Sequence, residues 1–314
     1  MKKYRPLSFK KIRRYSLQER KSKVRLQAAA KPHQKGASLR EFIEALPEIL
    51  VGADFRAVVA SIVEARNNDR PVVLSMGAHP IKVGLSPLII DLMRQGIVTA
   101  IATNGASIVH DFEIALQGQT SEDVAEELND GSFGMARETG RLLNRAIIDG
   151  AKRGMGLGES VGEMVLKGRR FRYKELSIFS EARRLGLPAT VHVAIGTDII
   201  HMHPECDGAS VGKTSYQDFR LFASVVADLE GGVFINLGSA VVMPEVFLKA
   251  LAIARNLGCP LREITTVTMD FVRHYRPMVN VVHRPTLQGG RGYYITGHHE
   301  IMFPLLAAAV KEYM

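Results

Sequence analysis

Six short apolar runs recur along the chain, at residues 71–76, 98–103, 189–195, 233–237, 264–269 and 292–296. Each is nearly free of polar alternation. A strand with one wet face alternates, so a run that does not must be buried on both faces. Between the runs lie longer amphipathic stretches with helical spacing, at 86–95, 107–117, 174–185, 215–229 and 241–256. A last helix is expected from near His298 to the C-terminus. Ser38 is the expected N-cap of a helix on LREFIEALPEIL. Strand and helix in repeated alternation predict an α/β fold, a doubly wound, mostly parallel sheet of Rossmann-like type.

The organisation is uneven in charge. Residues 1–37 hold about 13 Lys/Arg and one acid, Glu19, a net of about +12, which leaves the remainder of the 314 residues at about −3. The expected division is a basic N-terminal arm at 1–37 and one α/β domain at 38–314. A mostly helical insertion is expected at about 120–173, broken by Gly154, Gly156 and Gly158. The acidic balance of the body argues against a nucleic-acid groove across the fold, leaving only the arm for such a partner. No apolar run reaches the ~18 residues of a membrane helix. The two cysteines, Cys206 and Cys259, exclude a disulfide scaffold, and a cytoplasmic location is expected.

In an open parallel sheet, ligands sit beyond the carboxyl ends of the strands. All six runs here end in small or polar residues. They are Ser75, Met76, Gly77 and His79; Thr103, Asn104 and Gly105; Gly196, Thr197 and Asp198; Gly238 and Ser239; Asp270; and Gly297, His298, His299 and Glu300. Together they predict a ligand-binding crest. His110 and Glu113 are three apart and share a helix face just beyond the second of these ends. The helix start there also favours an anion through its free N–H groups.

Three apparent motifs are set aside. DGASVGKTS resembles a phosphate loop, but Asp207 stands where the motif needs glycine, and no strand precedes it directly. GMGLGESVG is one residue too long for the dinucleotide fingerprint and follows a helix. His201, His203 and Cys206 are good zinc ligands at a spacing that fits no zinc framework. No metal is expected there, although metal-assisted hydrolysis stays open as an alternative.

The segments GAHPIKVGLSPLIIDLMRQGIVTAIATNGASIVHDFEIAL, VHVAIGTD, INLGSAVVMPEVFLKALAIARN and ITGHHEIMFPLLAA occur in the order of the deoxyhypusine synthase family. The chain resembles that family over roughly residues 70–314, with gaps around 120–173 and 280–295. VHDFEIALQG also resembles a segment in the ornithine cyclodeaminase-type domain of arginine-degrading enzymes. The resemblance implies an NAD-binding fold and a homotetramer with active sites between subunits, whose N-terminal extension can plug a neighbour's active-site mouth. It places nucleotide contacts near Ser75 to Gly77, on Thr103, Asn104 and Gly105, on Thr197, on Gly238 and Ser239, and near His298. The family's acidic pair falls on Val109 and His110, and its helix aspartate on Asp111.

One departure matters. The family's nucleophilic lysine precedes the last strand, where this chain reads HRPTLQGGRGYYITG, without lysine or tryptophan. Arg291 is nearest, but a guanidinium stays protonated and cannot form an imine. Lys213 could supply an amine but stands elsewhere. Deoxyhypusine synthesis by that route is not expected. The expected function is NAD-dependent, imine-forming dehydrogenation of a small amine or amino acid. His110, Asp198 and His203 are expected to handle protons, and Asp111, His201 and Glu300 to grip the substrate. Ser75, Gly77, Thr103, Asn104, Gly105, Thr197, Gly238, Ser239, Asp270 and His298 are the expected cofactor contacts, with Asp270 on a ribose hydroxyl. Two alternatives remain: an aminobutyl transferase of the deoxyhypusine or homospermidine synthase type, and a non-catalytic nucleotide-binding or assembly protein.

Overall fold

The six runs form one sheet: β1 (Val72–Met76), β2 (Ala100–Asn104), β3 (Ala189–His192), β4 (Val233–Leu237), β5 (Thr265–Asp270) and β6 (Arg291–Thr296). In the computed structural model, which describes residues 3–314, the order is β3-β2-β1-β4-β5-β6. Every neighbouring pair is parallel, so the sheet is parallel throughout.

Register explains why the strands lack alternation. Val72, Leu74 and Met76 join a core formed with the helices Leu50–Asn67, Ser86–Arg94, Gly105–Gln117 and His299–Tyr313. Val73, in register with Phe234 and Ala100, faces the other way, towards Gly208–Ala227 and Val242–Asn256. There Phe234 stacks on Phe247 with ring centroids 3.8 Å apart. Both faces are therefore dry, and each fully buried large apolar side chain contributes about 2 kcal/mol.

Several boundaries differ from expectation for local reasons. The expected helix at 174–185 breaks at Ser177, whose hydroxyl caps Ile178–Leu185 by accepting from the Ser180 N–H. The helix Gly208–Ala227 begins seven residues before the expected 215 because Asp207 caps it, accepting from the Ser210 N–H at 2.9 Å. Its first turns consume GASVGKTS, so the apparent phosphate loop is helix. The 18-residue helix Leu50–Asn67 lies outside the expected elements; Phe55, Val58, Val59, Ile62 and Ala65 form its buried stripe.

The insertion carries two main helices, Arg137–Arg153 and Leu157–Lys167. GMGLGESVG is a packing device. A Cβ at Gly158 would stand 2.0 Å from the Ala189 carbonyl oxygen, so glycine lets this helix rest on β3. Residues 3–37 form three short 3-10 turns and bury no side chain in them. No helix among the described residues is long and apolar enough to cross a membrane.

Candidate functional site

Strand order reverses direction between β1 and β4, the place where a sheet of this kind takes its ligand, beyond the carboxyl ends of the strands. The two strand tips meet backbone to backbone there. A Cβ at Gly77 would stand 2.7 Å from the Gly238 carbonyl oxygen. Gly238 has φ +68°, and a Cβ there would meet the His299 ring at 2.6 Å. Glycine is required at both positions by close approach, and at Gly238 also by the left-handed backbone.

Beside this switch point, on the β2 and β3 side, lies a cavity of about 210 Å³ lined by Lys82, His110, Glu113, Glu122, Phe133 and Asp198, among others. Asp198 sits against the start of the helix Gly105–Gln117, where a Cβ on Gly105 would collide with its carboxylate at 2.1 Å. The backbone N–H groups of Ala106 and Ala194 donate to it. The anion expected at this helix start is thus supplied by the protein itself. Burial nevertheless outweighs these bonds and pushes the Asp198 carboxyl up to about 6. Its Oδ2 is buried without a partner.

His110 is fixed by a relay. The Thr120 hydroxyl donates to Glu113 Oε2 at 2.6 Å, so towards His110 Nδ1, 2.7 Å away, it must accept. Nδ1 therefore carries the hydrogen and Nε2 is left with a free lone pair. Thr139 donates to the other Glu113 oxygen at 2.8 Å. Burial, then the Lys82 ammonium, lowers the His110 imidazolium to about 4, so the ring is neutral near pH 7.

The remaining expected residues divide. Asp111, one position from His110, turns into the core and accepts from the Ser177 hydroxyl at 2.5 Å and the Ile178 N–H at 2.7 Å. It holds a helix start, and its carboxyl rises to about 7 through burial. His203 is buried, with Nε2 2.9 Å from the Gly134 carbonyl and its ring against Gly140. That contact leaves it packed in the insertion. His201 Nδ1 accepts from the Gly196 N–H at 3.3 Å. Among the described residues no three His, Cys, Asp or Glu side chains converge to hold a metal ion.

Ser75 and Thr103 are fully buried inside the sheet, short of the crest. Asn104 caps its own helix, accepting from the Ser107 hydroxyl at 2.8 Å. The Thr197 hydroxyl closes a turn on the Ala194 carbonyl at 2.8 Å. Ser239 accepts from the Met243 N–H at 3.2 Å. Asp270 accepts from the Phe271 N–H at 2.8 Å and approaches His299 Nε2 at 4.0 Å. His298 and Glu300 are exposed, with Nδ1 of the ring 3.8 Å from Glu300 Oε1.

Lys82 is the residue that motif reading misses. It follows β1 by six residues on the short helix His79–Lys82, with nothing in its spacing to mark it. A strand-tip position was the only available signal.

No protein-family model matches the sequence, and no curated protein matches it. Solved structures do. A candidate deoxyhypusine synthase from Entamoeba histolytica matches with TM-score 0.50 at 13% identity, covering 89% of this chain and 95% of that one. The chain has a deoxyhypusine synthase-like, Rossmann-type fold. The same fold occurs in ArgZ, an arginine dihydrolase from the cyanobacterial ornithine–ammonia cycle, at TM-score 0.51 and 16% identity, covering 85% of this chain and 34% of that. AgrE, solved with ornithine and NAD+, matches at TM-score 0.52 and 14% identity, covering 83% and 33%. The chain therefore spans about a third of the length of these two enzymes.

Proposed function

We propose that this chain is an NAD-dependent enzyme that dehydrogenates a small amine or amino acid at the carbon bearing nitrogen. One juxtaposition supports this above all: two strand tips that meet glycine to glycine at the switch point, beside a pocket that pairs a neutral imidazole with an ionisable carboxyl. A pyrophosphate would lie over these tips, where glycine puts no side chain in its way. Gly77 and Gly238 would line its site, and Asp270 would hold a ribose hydroxyl. NAD bound there supplies a hydride acceptor. The relatives' fold and the NAD+ and ornithine bound by AgrE agree with this reading.

The pocket's own chemistry suits an amine. Glu113, Glu122 and Asp198 outnumber Lys82, so the lining favours a cation. The Asp198 carboxylate, at the cavity wall, receives the substrate ammonium. His110 Nε2 takes the proton that the ammonium must lose before its carbon can release hydride.

The test is a panel of diamines and basic amino acids with NAD, followed by NADH absorbance. At least one member should turn over. Gly238→Ala should weaken NAD binding at least tenfold by calorimetry, because its Cβ would collide with the His299 ring and strain the left-handed backbone of this turn. Unchanged affinity would place the dinucleotide elsewhere. Tight NAD binding without turnover would favour the nucleotide-binding protein instead.

A second function, aminoalkyl transfer, is favoured by Lys82. It lines the same cavity and can carry the imine-forming role missing before β6. Incubation with spermidine and NAD, then borohydride, should then add an aminoalkyl mass to the peptide containing Lys82, and Lys82→Arg should abolish it. An unmodified peptide leaves Lys82 to pair with a substrate carboxylate, seen as a raised KM for amino acids but not for diamines in Lys82→Ala.

A further inference from the structure

A second cavity, of about 340 Å³, lies between the two main helices of the insertion and shares no lining residue with the amine pocket. Two glycines set its walls. A Cβ at Gly150 would stand 1.8 Å from Ser160 Oγ, so the helices Arg137–Arg153 and Leu157–Lys167 touch there. A Cβ at Gly168 would stand 2.6 Å from the Phe171 ring, so this ring folds back against the end of the second helix. Leu142, Ala146, Met164 and Phe171 supply the apolar part of the lining.

Charge sets this cavity apart. The chain outside its arm carries about −3, yet KGRRFRYK, residues 167–174, holds five Lys/Arg and no acid. Arg145, Arg153, Lys167 and Arg170 line the cavity, against Asp149 and Glu163. Glu163 is buried and already shared. Arg153 lies 2.7 Å from it, Lys167 3.0 Å and Arg183 2.9 Å. Hydrogen bonds from Arg153, Lys167 and Arg183 hold its carboxyl down to about 2, so it is ionised at neutral pH. One carboxylate cannot neutralise three cations. Arg145 has only Asp149, 3.8 Å away on an exposed helix turn, and a pair of this kind is weak. Arg170 is exposed and pairs with no acid among the described residues. Four cations against two acids leave the lining positive, the opposite of the amine pocket.

We propose that this cavity binds a small organic anion bearing at least two negative charges. The guanidinium forks of Arg145 and Arg170 hold its charged groups, and its carbon skeleton lies on the apolar lining. A planar fork suits a carboxylate and a phosphate equally, so polycarboxylates and phosphate esters share the required chemistry. The volume is that of a metabolite site, and charged groups around an apolar lining are how such sites combine affinity with orientation. The assignment does not depend on the dinucleotide or on the amine reaction.

Calorimetric titration of the full chain at pH 8 and physiological salt, with citrate, glycerol 3-phosphate and acetate, tests it. Citrate or glycerol 3-phosphate should bind once per chain with Kd below about 1 mM, and singly charged acetate about tenfold more weakly or worse. Tighter citrate assigns a polycarboxylate, and tighter glycerol 3-phosphate a phosphate ester. The basic arm is the competing source of affinity, and variants separate the two. Arg145→Gln combined with Arg170→Gln should weaken binding about tenfold or more, at an unchanged melting temperature because both side chains are exposed. Asp149→Asn should tighten it severalfold by releasing Arg145. Neutralising Lys10, Lys11, Arg13 and Arg14 in the arm should leave it unchanged. If the double glutamine variant melts earlier, Arg145→Lys with Arg170→Lys keeps the charge, loses the forks, and should still weaken binding. Affinity that survives the loss of both arginines, or that falls with the arm residues, overturns the site. So does failure of both multivalent anions to bind, or weaker binding in Asp149→Asn.

Discussion

Asp198→Asn should lower amine turnover by two to three orders of magnitude and at the same time raise the melting temperature at alkaline pH. The two effects have one source. The carboxyl is 7% exposed, pressed against Gly105, with one oxygen left without a partner. Burial lifts it from 3.8 to about 6. A folded-state pKa above the unfolded value means that the native protein binds this proton more tightly. The associated stability is fully present below about pH 4 and is lost as pH rises through about 6. Above that, an ionised Asp198 costs roughly 3 kcal/mol, which asparagine removes without changing shape. The gain in melting temperature should therefore appear at pH 8 and be absent at pH 4.5. Turnover runs the other way. The wild-type rate should rise through pH 6 as the carboxylate forms, and the variant, unable to hold an ammonium by charge, should lose about 10²-fold or more in kcat/KM. NADH absorbance and scanning calorimetry across pH read both effects. Full activity in the variant would remove Asp198 from the site.

Asp218→Ala should be the most destabilising single change, at about 3–5 kcal/mol, without touching the pocket. One carboxylate oxygen accepts from the Gly158 N–H at 2.9 Å and the Val191 N–H at 2.8 Å. It joins the start of the helix Leu157–Lys167 to the free edge of β3. Removing it strands buried donors, each worth about 1–3 kcal/mol. Glycine at 156 follows from the same contact, since a Cβ there would lie 1.8 Å from Asp218 Oδ1. Burial lifts this carboxyl to about 7, so the wild type loses stability as pH rises from 4 through 7, a slope that the alanine variant lacks. The deficit, measured by urea unfolding, should be larger at pH 5.5 than at pH 8.

The contrast between His110 and Asp111 shows how far local sequence reached. They are adjacent, and both are polar near a helix start. Consecutive helical residues point about 100° apart, so only one can face the cavity while the other enters the core. His110 reached the cavity and Asp111 became a cap for Ile178–Leu185, 67 residues away. Spacing favoured the pairing of His110 with Glu113, which is real, but not the Thr120 hydroxyl that joins them from the following loop. His203 looked like a proton carrier by type, yet the insertion folds over it.

From sequence alone came the parallel sheet, helices on both of its faces, and a crest of small and polar residues. These follow from hydrophobic periodicity, which is a local property: a strand buried on two faces must be apolar at every position. Tertiary structure decided which tips are neighbours. The order β3-β2-β1-β4-β5-β6 brings Gly77 against Gly238, Lys82 into the cavity with Asp198, and Phe271 opposite His298. No periodicity encodes those encounters, because each joins residues many tens of positions apart, or on separate elements, through the packing of the whole sheet.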